Sequence, residues 1–272
     1  MSDSPRFEGP VAVVRKRRAQ PFFGRHPWVF TGAIERIENV GESGPLAGTQ
    51  IQLKSNQGEF IGWGLINPAS NIRIRMYSWD EQQQITNGLL NERITSAIES
   101  RRSIHPLNMA GTACRLIFSE ADQLSGLTVD WYDGYLLVQF TSLALYQFSE
   151  VIVEQLQQQL KPRGIWLRTE KGMREAEGLE VRDGLMAGDE PPRPLFISEG
   201  NLQFGVDVQH GQKTGFYLDQ RNSHGAITRY TKGHQVLDGF CFSGGFGIAA
   251  AKNGGATHSL GIDSSQAALD LA

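Results

Sequence analysis

VLDGFCFSGGFGIAAAKNGGATHSLGID, residues 236–263, reads as strand, turn, helix and strand. Residues 236–240 make a short buried strand, and Ser243, Gly244 and Gly245 make a small-residue turn. A helix runs over about 246–253, and a second strand over 259–262 ends on an acid. That is half of a nucleotide-binding α/β unit. Its glycines let backbone approach a ligand where any Cβ would collide. A carboxylate closing the second strand is placed to accept hydrogen bonds from two ribose hydroxyls, and Asp263 is that carboxylate.

The same stretch leaves two ligands open. Gly245-Phe246-Gly247-Ile248-Ala249-Ala250 formally matches the G-x-G-x-x-A dinucleotide pattern of NAD(P) enzymes. In a dinucleotide site the first glycine directly follows the strand, so that the helix N-terminus faces a pyrophosphate. Here Phe240, Cys241, Phe242 and Ser243 intervene, and Asp238 sits near the strand's end. A carboxylate there repels a pyrophosphate but suits a cation. S-adenosylmethionine (SAM) carries cationic sulfonium and ammonium groups, and the residues favour it. A turn that merely packs helix on strand is the third reading.

The 272 residues have 40% hydrophobic content, which allows two or three domains with real cores. The longest apolar runs fall far short of the roughly 18 residues a spanning helix needs, and the start MSDSPRFEGP is not a signal peptide. A cytoplasmic protein with no membrane partner is expected. Cys114 and Cys241 lie far apart without a C-x-x-C partner, so neither a disulfide framework nor a metal site is indicated. The net charge of −3 is unevenly spread: residues 1–77 carry 10 Lys/Arg against 6 Asp/Glu (+4), leaving 16 against 23 (−7) for the rest. A basic front on an acidic body suggests a module for a polyanion.

That front is β-rich, with runs at 11–14, 50–53, 60–66 and 72–76 broken by Gly, Pro, Asn and Ser, the pattern of a small barrel. Arg15, Lys16, Arg17 and Arg18 precede Arg25, His26, Pro27, Trp28, Val29 and Phe30. HPWVFTGAIERI and GEFIGWGLINPASNIRIRMYS resemble the PUA domain, a small RNA-binding barrel fused to RNA-modifying enzymes. The resemblance implies phosphate contacts from the basic run and Arg25, with His26 beside them, and a stacking face on Trp28. A solvated strand edge and a core tryptophan are the bland alternatives.

Helical spacing over 83–104 (Ile85, Leu89, Leu90, Ile94, Ile98) predicts a connecting helix. Strands at 115–118, 127–131, 135–140 and 165–168, with a helix over 143–160, predict a central α+β domain with a mostly antiparallel sheet. DGLMAGDEPPRP, 183–194, reads as a boundary. Strands follow at 195–198 and 202–208. The expected layout is therefore a barrel over 1–78, a helix and α+β domain over 79–190, and an α/β domain over 191–272.

QHGQKTGFYLDQR, 209–221, is a polar, glycine-punctuated loop running into a helix, richer in donors and acceptors than folding alone needs. It closely resembles the HGxKTGxYLDQR segment of the bacterial large-subunit (23S) rRNA 5-methylcytosine methyltransferases, SAM-dependent enzymes with a PUA domain in front. FCFSGGF resembles their first SAM motif, and with GIDSSQAALDLA the likeness covers nearly the whole chain. It implies a Rossmann-like SAM domain in which Lys213, Thr214, Gly215, Phe216, Asp219 and Arg221 wall the cofactor. Phe240, Ser243, Gly244 and Gly245 would form the turn beneath it, next to the Asp238 carboxylate read above as suiting a cation, and Asp263 would hold the ribose with Ser264 beside it. Asp219 and Arg221 could equally be a structural ion pair.

A doubly wound sheet needs more chain than 195–272, so the domain is expected to be truncated at Ala272. On the resemblance, the catalytic cysteine that attacks cytosine C6 lies beyond it, at a position neither Cys114 nor Cys241 matches. The reading is a SAM-dependent rRNA cytosine-C5 methyltransferase with rRNA as partner and a homodimer left open. An NAD(P) oxidoreductase and a noncatalytic RNA-binding protein are its rivals. Segment 195–272 alone is expected to be unstable.

Overall fold

The computed structural model describes residues 7–42, 44–169, 171–209 and 215–272. Six strands come first: β1 (Val11–Val14), then the one-turn helix α1 (Gln20–Phe23), β2 (Trp28–Phe30), β3 (Ile34–Glu38), β4 (Gln50–Lys54), β5 (Phe60–Ile66) and β6 (Ile72–Ser78). Their order is β2-β6-β5-β4-β1-β3, antiparallel except for the β1–β4 pair. The sheet curls around a core that includes Ala12, Val14, Val29, Ile51, Leu53 and Ile74. Glycine at alternate positions of β5 lets β6 approach: a Cβ on Gly64 would sit 2.3 Å from Ile74 Cγ2. Two of these strands, β2 and β3, go beyond the sequence expectation; they are short or mostly exposed, so their apolar alternation is faint.

Helix α2 (Asn87–Arg102) starts at Thr86, whose hydroxyl accepts from Leu89 N–H at 3.2 Å, a regular N-cap. It leads to β7 (Ala113–Phe118), β8 (Leu127–Tyr132), β9 (Tyr135–Phe140), α3 (Leu143–Tyr146), α4 (Ser149–Leu160), β10 (Gly164–Leu167), α5 (Lys171–Glu177) and β11 (Gly184–Gly188). These strands form one sheet, β11-β10-β9-β8-β7, antiparallel except between β9 and β10. The single helix expected over 143–160 is two, with Ser142 capping the first. Strand β11 corrects the boundary reading of 183–194. Its glycines, taken as breakers, serve close backbone approach, since a Cβ on Gly188 would fall 2.3 Å from the Arg163 carbonyl oxygen.

Along β9, Leu136, Val138 and Phe140 enter one core while Tyr135 and Leu137 enter another. The sheet is thus buried on both faces, which explains why YLLVQF is almost continuously apolar. The first core joins this sheet and α2 to Trp63, Leu65 and Tyr77 of the N-terminal sheet. The second joins it to the last segment: β12 (Leu195–Glu199), β13 (Leu202–Val206), α6 (Arg221–Ile227), β14 (Gln235–Gly239), α7 (Gly245–Lys252), β15 (His258–Ile262) and α8 (Gln266–Leu269). β12 and β13 form an antiparallel pair, and β14 and β15 a parallel one with α7 as the crossover. One face of that parallel pair is bare, leaving Leu237, Leu260 and Ile262 exposed.

A buried polar interface fastens the N-terminal sheet to the central one. The Glu177 carboxylate accepts from Ser70 Oγ at 2.7 Å, Asn67 Nδ2 at 3.1 Å and Arg75 Nη2 at 3.3 Å. Trp28 Nε1 donates to Glu120 Oε1 at 2.7 Å, and Arg75 lies over the Trp28 ring.

Candidate functional site

The loop between β14 and α7 is built around two carboxylates. Asp238, near the end of β14, is buried, and its Oδ2 accepts from Gly247 N–H at 2.9 Å in the first turn of α7. Its charge sits where the helix dipole favours an anion. The chain then passes through Phe240 (φ 60°), Phe242 (φ 51°) and Gly244 (φ 73°), left-handed conformations that side chains other than glycine resist. Asp263, just past β15, holds this turn from the other side. Its Oδ2 accepts from Phe242 N–H at 2.9 Å and its Oδ1 from Ser265 N–H at 2.8 Å. The Ser265 and Phe242 amides hold its pKa below the usual carboxylate range.

Beside the turn lies a cavity of about 570 Å³. Of the residues expected at the cofactor, Phe216, Phe240, Ser243, Gly245, Asp263 and Ser264 line it. Gly244 stands just behind as the N-cap of α7, and Gly215 (φ 100°) packs its backbone on Val206. Asp238 is turned away into the helix cap. Asp219 and Arg221 line a neighbouring cleft instead. Arg221 Nη2 donates to the Ala113 carbonyl at 2.6 Å, so the ion pair that forms is with Glu199, 3.8 Å from Arg221 Nε, rather than with Asp219. Lys213 and Thr214 lie outside the described residues.

The structure adds residues that sequence reasoning missed. His224 lines the cavity, with its Nδ1 2.7 Å from Glu199 Oε2 and its ring edge-on to Phe246 at 4.7 Å. Both members of this pair are buried. The space it guards exists because residue 245 is glycine: a Cβ there would sit 2.5 Å from His224 Nε2. Tyr217 and Phe242 meet edge-on at 5.4 Å on the cavity wall. The only sequence signal for His224 is its position one helical turn after Arg221. Cys241 also lines the cavity, but burial raises its thiol pKa, and burial pushes that of Cys114 up to about 12. Neither is poised as a thiolate nucleophile.

In the N-terminal sheet, Arg15, Lys16, Arg17 and Arg18 occupy the turn before α1 and Arg25 the turn after it, all exposed. Residues 19–24, which include α1, separate the two groups in sequence. His26 is exposed beside them, while Trp28 is half-buried at the interface with Glu120. Among the described residues no helix is long and apolar enough to cross a membrane, and no group of three His, Cys, Asp or Glu could hold a metal ion.

An α/β crossover with a glycine turn, an acid after the second strand and an aromatic-walled cavity defines a nucleoside-cofactor site. The residues fit SAM: a cradle that a Cβ would fill, flat aromatic faces, and the Asp263 carboxylate on the cavity wall. They do not fit a dinucleotide, because Asp238 already occupies the helix N-terminus a pyrophosphate would need. The chain belongs to the S-adenosylmethionine-dependent methyltransferase family, whose model matches residues 117–272, and residues 12–79 match a PUA-like domain.

Ribosomal RNA large subunit methyltransferase I of Photobacterium profundum is 37% identical over 257 residues, 94% of this chain and 64% of that protein. The chain thus spans just under two thirds of that curated relative's length. Among solved structures, a candidate SAM-dependent methyltransferase from Streptococcus mutans superposes with a TM-score of 0.77 at 20% identity, over 96% of this chain and 65% of the other. A candidate methyltransferase solved in complex with SAH gives 0.75 at 19% identity, over 96% and 64%. Both share the fold.

Proposed function

We propose that this chain carries the RNA-gripping and methyl-donor-binding parts of an enzyme that methylates cytosine C5 in large-subunit rRNA. The observation that carries the reading is the Asp263–Phe242 turn, which sets a ribose-binding carboxylate against a glycine cradle in a chain of the SAM-dependent family. Phe216, Phe240, Ser243, Gly245 and Ser264 complete the donor cavity, while Asp238 and Gly244 shape its turn from behind. SAM supplies the electrophilic methyl group. Lys213, Thr214 and Gly215 belong to the same wall on the family resemblance.

The rRNA substrate is supported by the relative's name, the PUA-like match and the exposed cluster of Arg15, Lys16, Arg17, Arg18 and Arg25 with His26. Trp28 contributes at the edge of that surface. The domain layout that goes with it is 1–78, 79–190 and 191–272. The C5 position rests on the resemblance, which places the attacking cysteine thiolate outside these residues; the depressed acidity of Cys114 and Cys241 agrees. Titrating the chain with SAM, and with a Lys/Arg-sensitive RNA ligand at two salt concentrations, tests both halves. RNA affinity that falls with salt and with charge removal at 15–18, together with SAM binding lost in Asp263→Ala, is the expected outcome. SAM binding without RNA binding would leave a methyltransferase of another substrate.

A further inference from the structure

The donor cavity shares its Phe216–Tyr217 wall with a second cleft of about 690 Å³ between α2, β7 and the segment before α6. Phe118, the last residue of β7, stands at this cleft 53% exposed, so part of its ring is open to a ligand. The Arg115 guanidinium lies 5.1 Å from the Phe118 ring centroid. Arg115 is itself fixed, since Nε and Nη2 donate to the two oxygens of fully buried Asp130 at 2.8 and 3.0 Å. The ring is therefore held on one face by a rigid cation.

The other cations of the cleft are likewise engaged. Arg101 donates to both oxygens of Asp122 at 2.6 and 2.8 Å, and Arg221 to the Ala113 carbonyl. Because buried or half-buried carboxylates balance them, the cleft offers flat faces more than net charge. That is poor ground for a phosphate and good ground for a planar, polar ring. His105, whose pKa burial and Arg221 lower, adds a neutral imidazole with hydrogen-bonding capacity.

We propose that this cleft receives an unpaired nucleobase of the RNA substrate, stacked on Phe118 opposite Arg115. The proposal rests on the reading of RNA as substrate. Base-on-aromatic stacking is indifferent to base identity and needs a single-stranded partner. An enzyme acting on a base must in any case take it out of the helix. A cleft sharing a wall with the donor cavity is where an extruded base or its neighbour can wait.

The test uses the whole chain and a short single-stranded RNA carrying one pyrrolo-cytosine, with a fully paired RNA of the same sequence as comparison. The wild-type chain should quench the fluorophore. Phe118→Ala should abolish the quench and weaken single-strand binding about tenfold, with duplex binding, SAM affinity and melting temperature unchanged, and Phe118→Trp should restore both. Quenching that survives Phe118→Ala, or equal losses for single strand and duplex, would overturn the proposal. So would a wild-type chain that binds SAM but never quenches, the result expected if the cleft meets a protein. Loss of SAM binding with the quench intact would instead sink the methyltransferase reading and leave the base site standing.

Discussion

Asp263 and Phe242, 21 residues apart in sequence, are joined by a 2.9 Å hydrogen bond from the Phe242 amide to the Asp263 carboxylate. One contact ties the end of β15 to the turn after β14, so the Asp263 carboxylate and the glycine turn beside the cavity form a single unit.

The unit should respond to acid. Hydrogen bonds from the Ser265 and Phe242 amides depress the Asp263 pKa, so the charged form is the one the fold holds. Its contribution is complete above the ordinary carboxylate pKa of the unfolded chain. It wanes as the pH falls below that value and is lost on passing through the lower, folded one. SAM affinity followed down through this range should fall, and in Asp263→Asn, already weakened, this part of the decline should be missing. An Asn variant with an unaltered acid profile would assign the titration to another group.

Gly245→Ala should narrow the cavity beside the glycine turn, because the added methyl meets His224 Nε2. Forced overpacking costs about 1–3 kcal/mol. Melting should drop accordingly while SAM binding falls further than stability alone explains. Adding His224→Ala should recover part of the binding, and failure to recover it would argue that His224 does not set the cavity's depth.

Glu177→Ala should loosen the N-terminal sheet from the rest. It removes a carboxylate shared by Ser70, Asn67 and Arg75, whose guanidinium is nearly inaccessible to water. Breaking such a buried pair costs about 3–5 kcal/mol. Urea unfolding should show this loss, accompanied by faster proteolysis between the two sheets. A change under 1 kcal/mol, well below that range, would mean the pair is dispensable.

Cys114 should resist alkylation. Burial pushes its thiol pKa up to about 12, so little reactive thiolate forms near neutral pH. Iodoacetamide and mass spectrometry on the native chain should find it unmodified, and Cys114→Ala should bind SAM normally. Rapid modification would reopen it as a candidate nucleophile.

Segment 195–272 should not fold by itself. A third of its core is supplied by Ala113, Tyr132, Tyr135 and Leu137 of the central domain, and Leu237, Leu260 and Ile262 already face solvent. A cooperative thermal transition for the isolated segment would contradict this.

Much of the fold was legible because strands such as 11–14, 60–66 and 135–140 carry undiluted apolar patterns. The motif at 236–263 was legible for a different reason, since its turn chemistry leaves few alternatives. What escaped was set by tertiary contact. Strand β11 hid in glycines that serve close approach to Arg163, and the break after Tyr146 falls within a continuous helical pattern. The site was half legible. Asp263 and the glycine turn declare themselves in sequence, but the Glu199–His224 pair and the diversion of Arg221 to Ala113 depend on how α6 packs on β12 and β7.

The most direct measurement is calorimetric titration of the chain with SAM, and separately with NAD and NADP, in the wild type and Asp263→Ala. SAM binding that Asp263→Ala weakens at least tenfold, about 1.4 kcal/mol, with neither dinucleotide bound, is the predicted result. Dinucleotide binding without a response to SAM would contradict the account at its centre.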